Sequence, residues 1–417
     1  HSVAVKNGRI AGIMPTPRAN SDYSASESVT LPGQVLMPGL INAHTHASMS
    51  LMRGMADDMP LMTWLQEQVW PVEAKWLSSG FVSDGAELAI AEMLLGGTTC
   101  FADMYFFPDA VAHAASRMGI RASIGIVVIQ FPSRWAETES EYVSKGLAVR
   151  DAFNFDPLIG FHFAPHAPYT VTDESLASIH TLADELDMPI QMHVHETAHE
   201  VQTAVTESGK RPLQRLQEQG LLSPSFMAVH MTQLNDDEIR MLAATGIHVI
   251  HCPESNLKLA SGFCPVATLL ATGINVALGT DGAASNNDLD MLGEARTAAL
   301  LAKGVSGNPE AVNSEQALQL ATINGARALG LDEITGSLEP GKSADMISVD
   351  LACAATQPVY DPVSHLVYSA CRDQVKNVWV SGKLRVVDGN LVGTDLDATI
   401  AKAKQWAKKI ENSVDDK

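Results

Sequence analysis

Two histidines one residue apart close a short apolar run, Pro38-Gly39-Leu40-Ile41-Asn42-Ala43-His44-Thr45-His46. Side chains at i and i+2 of a strand share a face, so His44 and His46 can reach one point. Two neutral imidazoles converging there make half of a site for a divalent metal. Alone the pair is a weak signal, because such spacing also occurs in ordinary strands. Further candidates end other apolar runs: His193 in His193-Val194-His195-Glu196, His230 after 226–229, and Asp281 in Gly279-Thr280-Asp281-Gly282. Three histidines and one carboxylate would leave a coordination position open to water, which hydrolysis requires.

The elements that must position these residues recur along the chain. Apolar runs at 35–46, 98–103, 121–128, 158–166, 189–196, 226–230, 247–252 and 275–281 are separated by helical patterns, as at 173–186 and 236–244. Strands alternating with helices predict a parallel sheet, and eight is the number that closes a (β/α)8 TIM barrel. An open doubly wound sheet would fit the alternation almost as well. The barrel is favoured because polar residues gather at the C-terminal strand ends, where such barrels keep their chemistry.

The flanks differ. Residues 1–34 read as short alternating strands with turns at Asn7-Gly8 and Pro32-Gly33. After Gly341-Lys342, runs at 345–349, 377–380 and 384–387 are punctuated by Ser381-Gly382 and Asp388-Gly389-Asn390, which are hairpin signals. The expected organisation is therefore a barrel over 35–343 and a small discontinuous β-sandwich domain from 1–34 and 344–417. That domain would end in a Lys-rich surface helix at 399–411. The chain opens at His1 inside an apparent strand, so a short N-terminal stretch is expected to precede it.

A net charge of −20 argues against a nucleic-acid backbone or an anionic membrane as partner, since both need clustered cations. Hydrophobic residues at 46% and charged residues at 18% fit a globular protein, and no apolar stretch is long enough to span a bilayer. Five dispersed cysteines without a CxxC pair suggest free thiols in a reducing cytoplasm.

Over nearly its whole length the sequence resembles the amidohydrolase superfamily, through PGLINAHTH at 38–46, HVHE at 193–196, His230 and GTDGAASNN at 279–287. The resemblance implies that His44, His46, His193 and Asp281 bind one divalent metal, with Zn²⁺ expected and Fe²⁺ equally suited to the donors. It also makes Glu196 the proton shuttle and leaves His195 as a packing residue. Binuclear relatives need a bridging Lys at the end of the fourth strand. Here that stretch is Phe163-Ala164-Pro165-His166, so one metal is the consistent count.

Within the superfamily the chain is similar to the methylthioadenosine/S-adenosylhomocysteine deaminase branch. The likeness lies in 51–58, Trp70-Pro71-Val72-Glu73, Ala164-Pro165-His166-Ala167-Pro168-Tyr169 and Ser255-Asn256-Leu257-Lys258-Leu259. It implies that Glu73 holds ribose hydroxyls and Trp64 packs beside the nucleoside. His166 would lie near sugar or base, and Ser285 near the metal-facing side. Arg134 is a candidate for the tail carboxylate of S-adenosylhomocysteine. The branch's second arginine, just after the third strand, is missing from Gly125-Ile126-Val127-Val128-Ile129, which favours 5′-methylthioadenosine. Met52, Met55, Met59 and Met62 could offer a soft thioether pocket but read better as core. Arg53 and Lys258 read as structural ion pairs.

The expected reaction is hydrolytic deamination at C6 of adenine, with His230 and Asp281 orienting water and Glu196 delivering a proton to N1. Guanine, 8-oxoguanine, cytosine or a chlorotriazine are the rival substrates, for which a sugar-binding Glu73 would have no purpose. A catalytically inactive binding protein is the remoter alternative, since every ligand position is kept. The cytidine-deaminase HxE and PCxxC signature and any GxGxxG are absent. A homo-oligomer acting on a small nucleoside is the base expectation.

Overall fold

In the computed structural model, which describes residues 1–414, eight parallel strands form one continuous sheet in chain order. They are β1 Leu40–Thr45, β2 Thr98–Asp103, β3 Arg121–Val128, β4 Ile159–Pro165, β5 Ile190–Val194, β6 Phe226–His230, β7 His248–His251 and β8 Asn275–Leu278. Nearly every residue of these strands is buried, as expected when helices cover one face and barrel side chains fill the other. The seam between β8 and β1 closes through the Asp281 N–H, which donates to the His44 carbonyl at 3.0 Å. Gly279 makes that approach possible: a Cβ there would lie 2.8 Å from the His44 Cβ and 2.9 Å from its backbone nitrogen.

The expected barrel strand over 35–46 is in fact two strands. Gln34–Pro38 pairs antiparallel with Met346–Asp350, and the chain enters the barrel only at Leu40. Gly39 makes the transfer, its N–H reaching the Asp345 carbonyl at 3.0 Å while Leu40 N–H reaches Gly97 at 3.0 Å. A side chain at Gly39 would collide with Thr99, whose Oγ1 lies 2.0 Å from the Cβ position. The apolar pattern is unbroken across this point, so periodicity alone does not reveal the change of sheet.

Gln34–Pro38 edges a five-stranded antiparallel sheet whose other strands are Met346–Asp350, Val375–Val380, Lys383–Val387 and Asn390–Leu391. The N-terminal hairpin, Ser2–Lys6 with Arg9–Met14, is a separate two-stranded sheet and reaches the C-terminal part through an Arg9–Ser343 bridge. A buried ion pair ties the small sheet to the barrel: the Arg121 guanidinium meets Asp345 at 3.0 Å and also touches Ser343 and Ser381.

The C-terminal helix is longer than the sequence pattern suggests, Leu396–Val414, and it is docked rather than merely on the surface. It lies against the helix Ser79–Leu95. Trp406 donates to Asp84 at 2.9 Å and meets Phe81 edge-on, and Lys402 bridges Asp84 and Glu87. No helix of the described residues is long and apolar enough to cross a membrane.

Between β1 and β2 the chain makes a long excursion over the barrel mouth: a 3₁₀ turn Ala47–Met52, then Leu61–Trp64, a wide π turn Leu65–Val69, and Trp70–Trp76. π turns inside helices often mark functional sites. Here the irregular turn sits in the wall of the main cavity.

Candidate active site

Four ligand-type atoms converge at the C-terminal mouth of the barrel, from His44, His46, His193 and Asp281, all within 4.8 Å of one another. His44 Nε2 lies 3.1 Å from His193 Nε2 and 3.5 Å from Asp281 Oδ1, and His46 Nε2 lies 3.1 Å from the same oxygen. The backbone supplies part of this convergence. His230 and Asp281 turn out of their strands at φ of 74° and 62°, in the left-handed region that non-glycine residues rarely occupy. Strain of this kind persists only where surrounding contacts over-determine it, and it gathers at functional sites.

The far nitrogen of each imidazole fixes its tautomer. His44 Nδ1 meets Gln191 Oε1 at 2.7 Å, His46 Nδ1 the Met104 carbonyl at 2.5 Å, and His193 Nδ1 the His166 carbonyl at 2.8 Å. Each partner is an acceptor, and the Gln191 amide is oriented by donating its own NH2 to the Ala43 carbonyl at 2.9 Å. All three Nδ1 atoms therefore carry hydrogen, and the three Nε2 atoms face inward. Two lone pairs 3.1 Å apart repel unless a cation lies between them. The donor set, three imidazoles and a carboxylate, fits Zn²⁺ or Fe²⁺.

The electrostatics agree. Burial pushes His44 down to about 4 despite Asp281, and burial with neighbouring histidines pushes His193 well down, so both are neutral ligands at pH 7. For His46, burial opposes protonation, but its contact with Asp281 outweighs this and holds the ring up to about 9. Asp281 is held well below the usual carboxylate range against the cost of burial, by His44 and His46. The cluster thus demands positive charge. Ser255 and Ser285 each donate to Asp281 Oδ2 at 2.7 Å, which leaves Oδ1 for the cluster.

Glu196 and His230 stand beside the four. His230 Nε2 is 3.9 Å from Glu196 Oε1, and its Nδ1 meets Asn256 Oδ1 at 2.9 Å, so the Nε2 lone pair is again the inward group. Burial pushes the Glu196 carboxyl up to about 8, the Asp281 charge adds to the rise and His46 opposes it. A carboxyl in this range can give and take a proton near neutral pH. The backbone N–H groups of His195 and Glu196 both donate to the half-buried Glu200 carboxylate, at 3.0 and 2.7 Å, which fixes the turn that carries Glu196. His195 itself points away, accepting from the Leu213 N–H at 3.3 Å.

From this cluster a cavity of about 480 Å³ extends under the β1–β2 excursion. Trp64, Glu73, Arg134, His166, Glu196 and Ser285 all line it, together with His46, His193, His230 and Asp281. Glu73 accepts a hydrogen bond from Tyr105 at 2.6 Å, and burial pushes its carboxyl up to about 7, with that hydrogen bond and His46 opposing the rise. His166 Nδ1 lies 3.0 Å from Thr170 Oγ1, and burial pushes the ring down to about 4. Arg134 sits at the exposed rim, its Nε donating to the Ala74 carbonyl at 3.0 Å. The Ser285 hydroxyl, expected near the metal-facing side as a substrate contact, is directed to Asp281 and to the Gly282 carbonyl.

Met52 is fully buried and Met55 and Met59 pack on the core, whereas the methionines lining the cavity are Met49 and Met104. Arg53 pairs with Glu92, and Lys258 pairs with Asp57 at 2.6 Å, so both are structural. Burial pushes the Cys252 thiol well above its ordinary value, which removes it as a nucleophile.

Sequence reasoning assigned no role to Gln191, Asn256, Ser255, Glu200 or Tyr105. Gln191 did carry a signal, since an amide inside an otherwise apolar buried strand must find a partner.

A fold of this type with a His₃Asp cluster at its mouth defines a metal-dependent hydrolase, and the chain belongs to the amidohydrolase family, whose pattern matches residues 35–385. It is 52% identical over 409 residues to the 5-methylthioadenosine/S-adenosylhomocysteine deaminase of Teredinibacter turnerae, covering 98% of this chain and 92% of that one. It is 43% identical over 379 residues to the 5′-deoxyadenosine deaminase of Methanopyrus kandleri, covering 91% and 87%. The solved structure of an adenosine deaminase from Xanthomonas campestris with bound zinc is 50% identical and has a TM-score of 0.97, covering 98% of this chain and 93% of that one.

Proposed function

We propose that the protein hydrolyses the C6–amino bond of adenine nucleosides, with 5′-methylthioadenosine as the preferred substrate, releasing ammonia and the inosine-type product. The observation that carries this is the two-ended cavity, which has the His₃Asp cluster with Glu196 at one end and Glu73 with Trp64 along its wall. The names of the relatives point the same way.

A divalent ion held by His44, His46, His193 and Asp281, proposed to be Zn²⁺, would supply Lewis acidity and bring the pKa of water toward ~7. The chain's own residues do the rest. Glu196 gives a proton to N1, which makes C6 electrophilic and neutralises charge developing on the ring. His230, through its Nε2 lone pair, and Asp281 orient the attacking water, and Asp281 receives its proton. Water oxygen bonds to C6, the amino group takes up the proton held on Asp281, the C6–N bond breaks with release of ammonia, and the proton left on the C6 hydroxyl returns to Glu196. Glu73 accepts from the ribose hydroxyls, and Trp64 flanks the nucleoside.

S-adenosylhomocysteine is the second substrate to consider, because among the described residues Arg134 at the rim has only its Nε engaged, by Ala74. Against it, Val127, Ile129 and Phe131 line the wall where another cation would be needed. A free base or triazine would leave Glu73 with Tyr105 but no substrate group to accept from. The test is ammonia release from metal-replete enzyme with methylthioadenosine, S-adenosylhomocysteine, adenosine, guanine and cytosine. Turnover of the nucleosides, lost in Glu196→Gln, supports the proposal; activity on guanine or cytosine alone overturns it.

A further inference from the structure

Glu73 alone does not explain how a carboxylate can serve as a sugar acceptor in this cavity. It is carried by the short helix Trp70–Trp76, which follows an irregular turn, and burial favours its neutral form. A neutral carboxyl would be a poorer acceptor and could rotate its proton toward the substrate. The chain answers with a phenol from a different element. Tyr105 stands two residues beyond β2, is almost wholly buried, and donates to Glu73 Oε1 at 2.6 Å. Glu73 Oε2 has no partner among the described residues, and both Glu73 and Tyr105 line the cavity.

We infer that Tyr105 is a positioning residue for sugar recognition, its hydroxyl fixing the Glu73 carboxylate as an acceptor with Oε2 presented to the ribose hydroxyls. The inference rests on the nucleoside function proposed above and adds a residue to it. Tyr105 touches Glu73, not the reacting atoms, so its effect belongs in binding rather than in the chemical step. Burial also pushes its own hydroxyl well above the ordinary value, so it remains a donor throughout the working pH range. The other titratable groups that feel Glu73 are His46 and Tyr142, while Arg134 is held one residue along by the Ala74 carbonyl.

The test compares wild type, Tyr105→Phe, Glu73→Gln and the double variant on 5′-methylthioadenosine and on its 2′,3′-dideoxy analogue. Phenylalanine keeps the ring and its packing against Phe106 and removes only the hydroxyl. Tyr105→Phe is expected to raise KM for the ribonucleoside about tenfold, as for loss of one charge-assisted hydrogen bond's positioning effect, with kcat little changed. KM for the dideoxy analogue should not move, and the step from Glu73→Gln to the double variant should add nothing. The pH at which KM is half-titrated, about 7 in wild type, should rise in Tyr105→Phe because Glu73 loses the bond that opposes its protonation. Equal rises on both substrates, or no rise while the ribonucleoside is still turned over, would overturn the role of Tyr105 alone. Wild-type enzyme that turns over no nucleoside would overturn the proposed function and this inference with it.

Discussion

The two ends of the cavity are built differently. At the metal end each of the three ligand imidazoles has its other nitrogen fixed by a backbone carbonyl or a strand-borne amide, and all the ligands stand on or just beyond barrel strands. At the end proposed to hold the sugar, Trp64 and Glu73 ride on a chain of short helices interrupted by a π turn, and Arg134 is held through its Nε by the Ala74 carbonyl. Bond-breaking geometry tolerates little displacement, so it is placed on rigid strands, whereas in the proposed function substrate choice falls to a connection that can vary without disturbing the barrel.

The contrast is sharpened by four measurements. The largest effect is expected from Glu196→Gln, which removes the proposed proton donor but no proposed ligand: kcat should fall by ~10²–10⁴ while metal content by elemental analysis stays at one per chain. Lost metal in this variant would instead show that Glu196 holds the cluster together. Next is Gln191→Leu, which should weaken metal binding about 10- to 100-fold in a chelator titration, because His44 loses its tautomer-setting acceptor.

Stability offers an independent check on the join between barrel and small sheet. Asp345→Ala leaves Arg121 buried without its carboxylate, so denaturant unfolding should show about 3–5 kcal/mol of destabilisation. A loss below 1 kcal/mol would mean that Ser343 and Ser381 suffice for the guanidinium.

A smaller effect is the pH dependence of substrate binding. In the proposed role Glu73 accepts hydrogen bonds from the ribose hydroxyls best as a carboxylate, and burial pushes its carboxyl up to about 7. KM for methylthioadenosine should therefore fall as pH rises through about 7 and level off above it, and Glu73→Gln should abolish that dependence.

The same contrast explains what could be read from the chain. His44 and His46 were legible because their i, i+2 spacing carries geometric meaning on a strand, and the alternation of eight runs with helices indicated the barrel. The parting of 34–38 from 40–45 was not, since Gly39 lies inside one apolar pattern and only its contact with Thr99 shows why the sheets divide there. Asn256 and Ser255 lay in a stretch already noticed for its resemblance, yet their partners His230 and Asp281 are distant in sequence. Tyr105 was hidden for the same reason, because it meets Glu73 only once β2 and the excursion fold together.

The central claim is that one cavity joins a mononuclear hydrolytic centre to a sugar-binding wall, and the most direct test is ammonia release from the zinc-loaded protein with 5′-methylthioadenosine beside free adenine. Rapid release from the nucleoside, with free adenine slower by orders of magnitude and Glu73→Gln narrowing that gap, is the expected result. Equal rates on nucleoside and free base, or a gap untouched by Glu73→Gln, would contradict it.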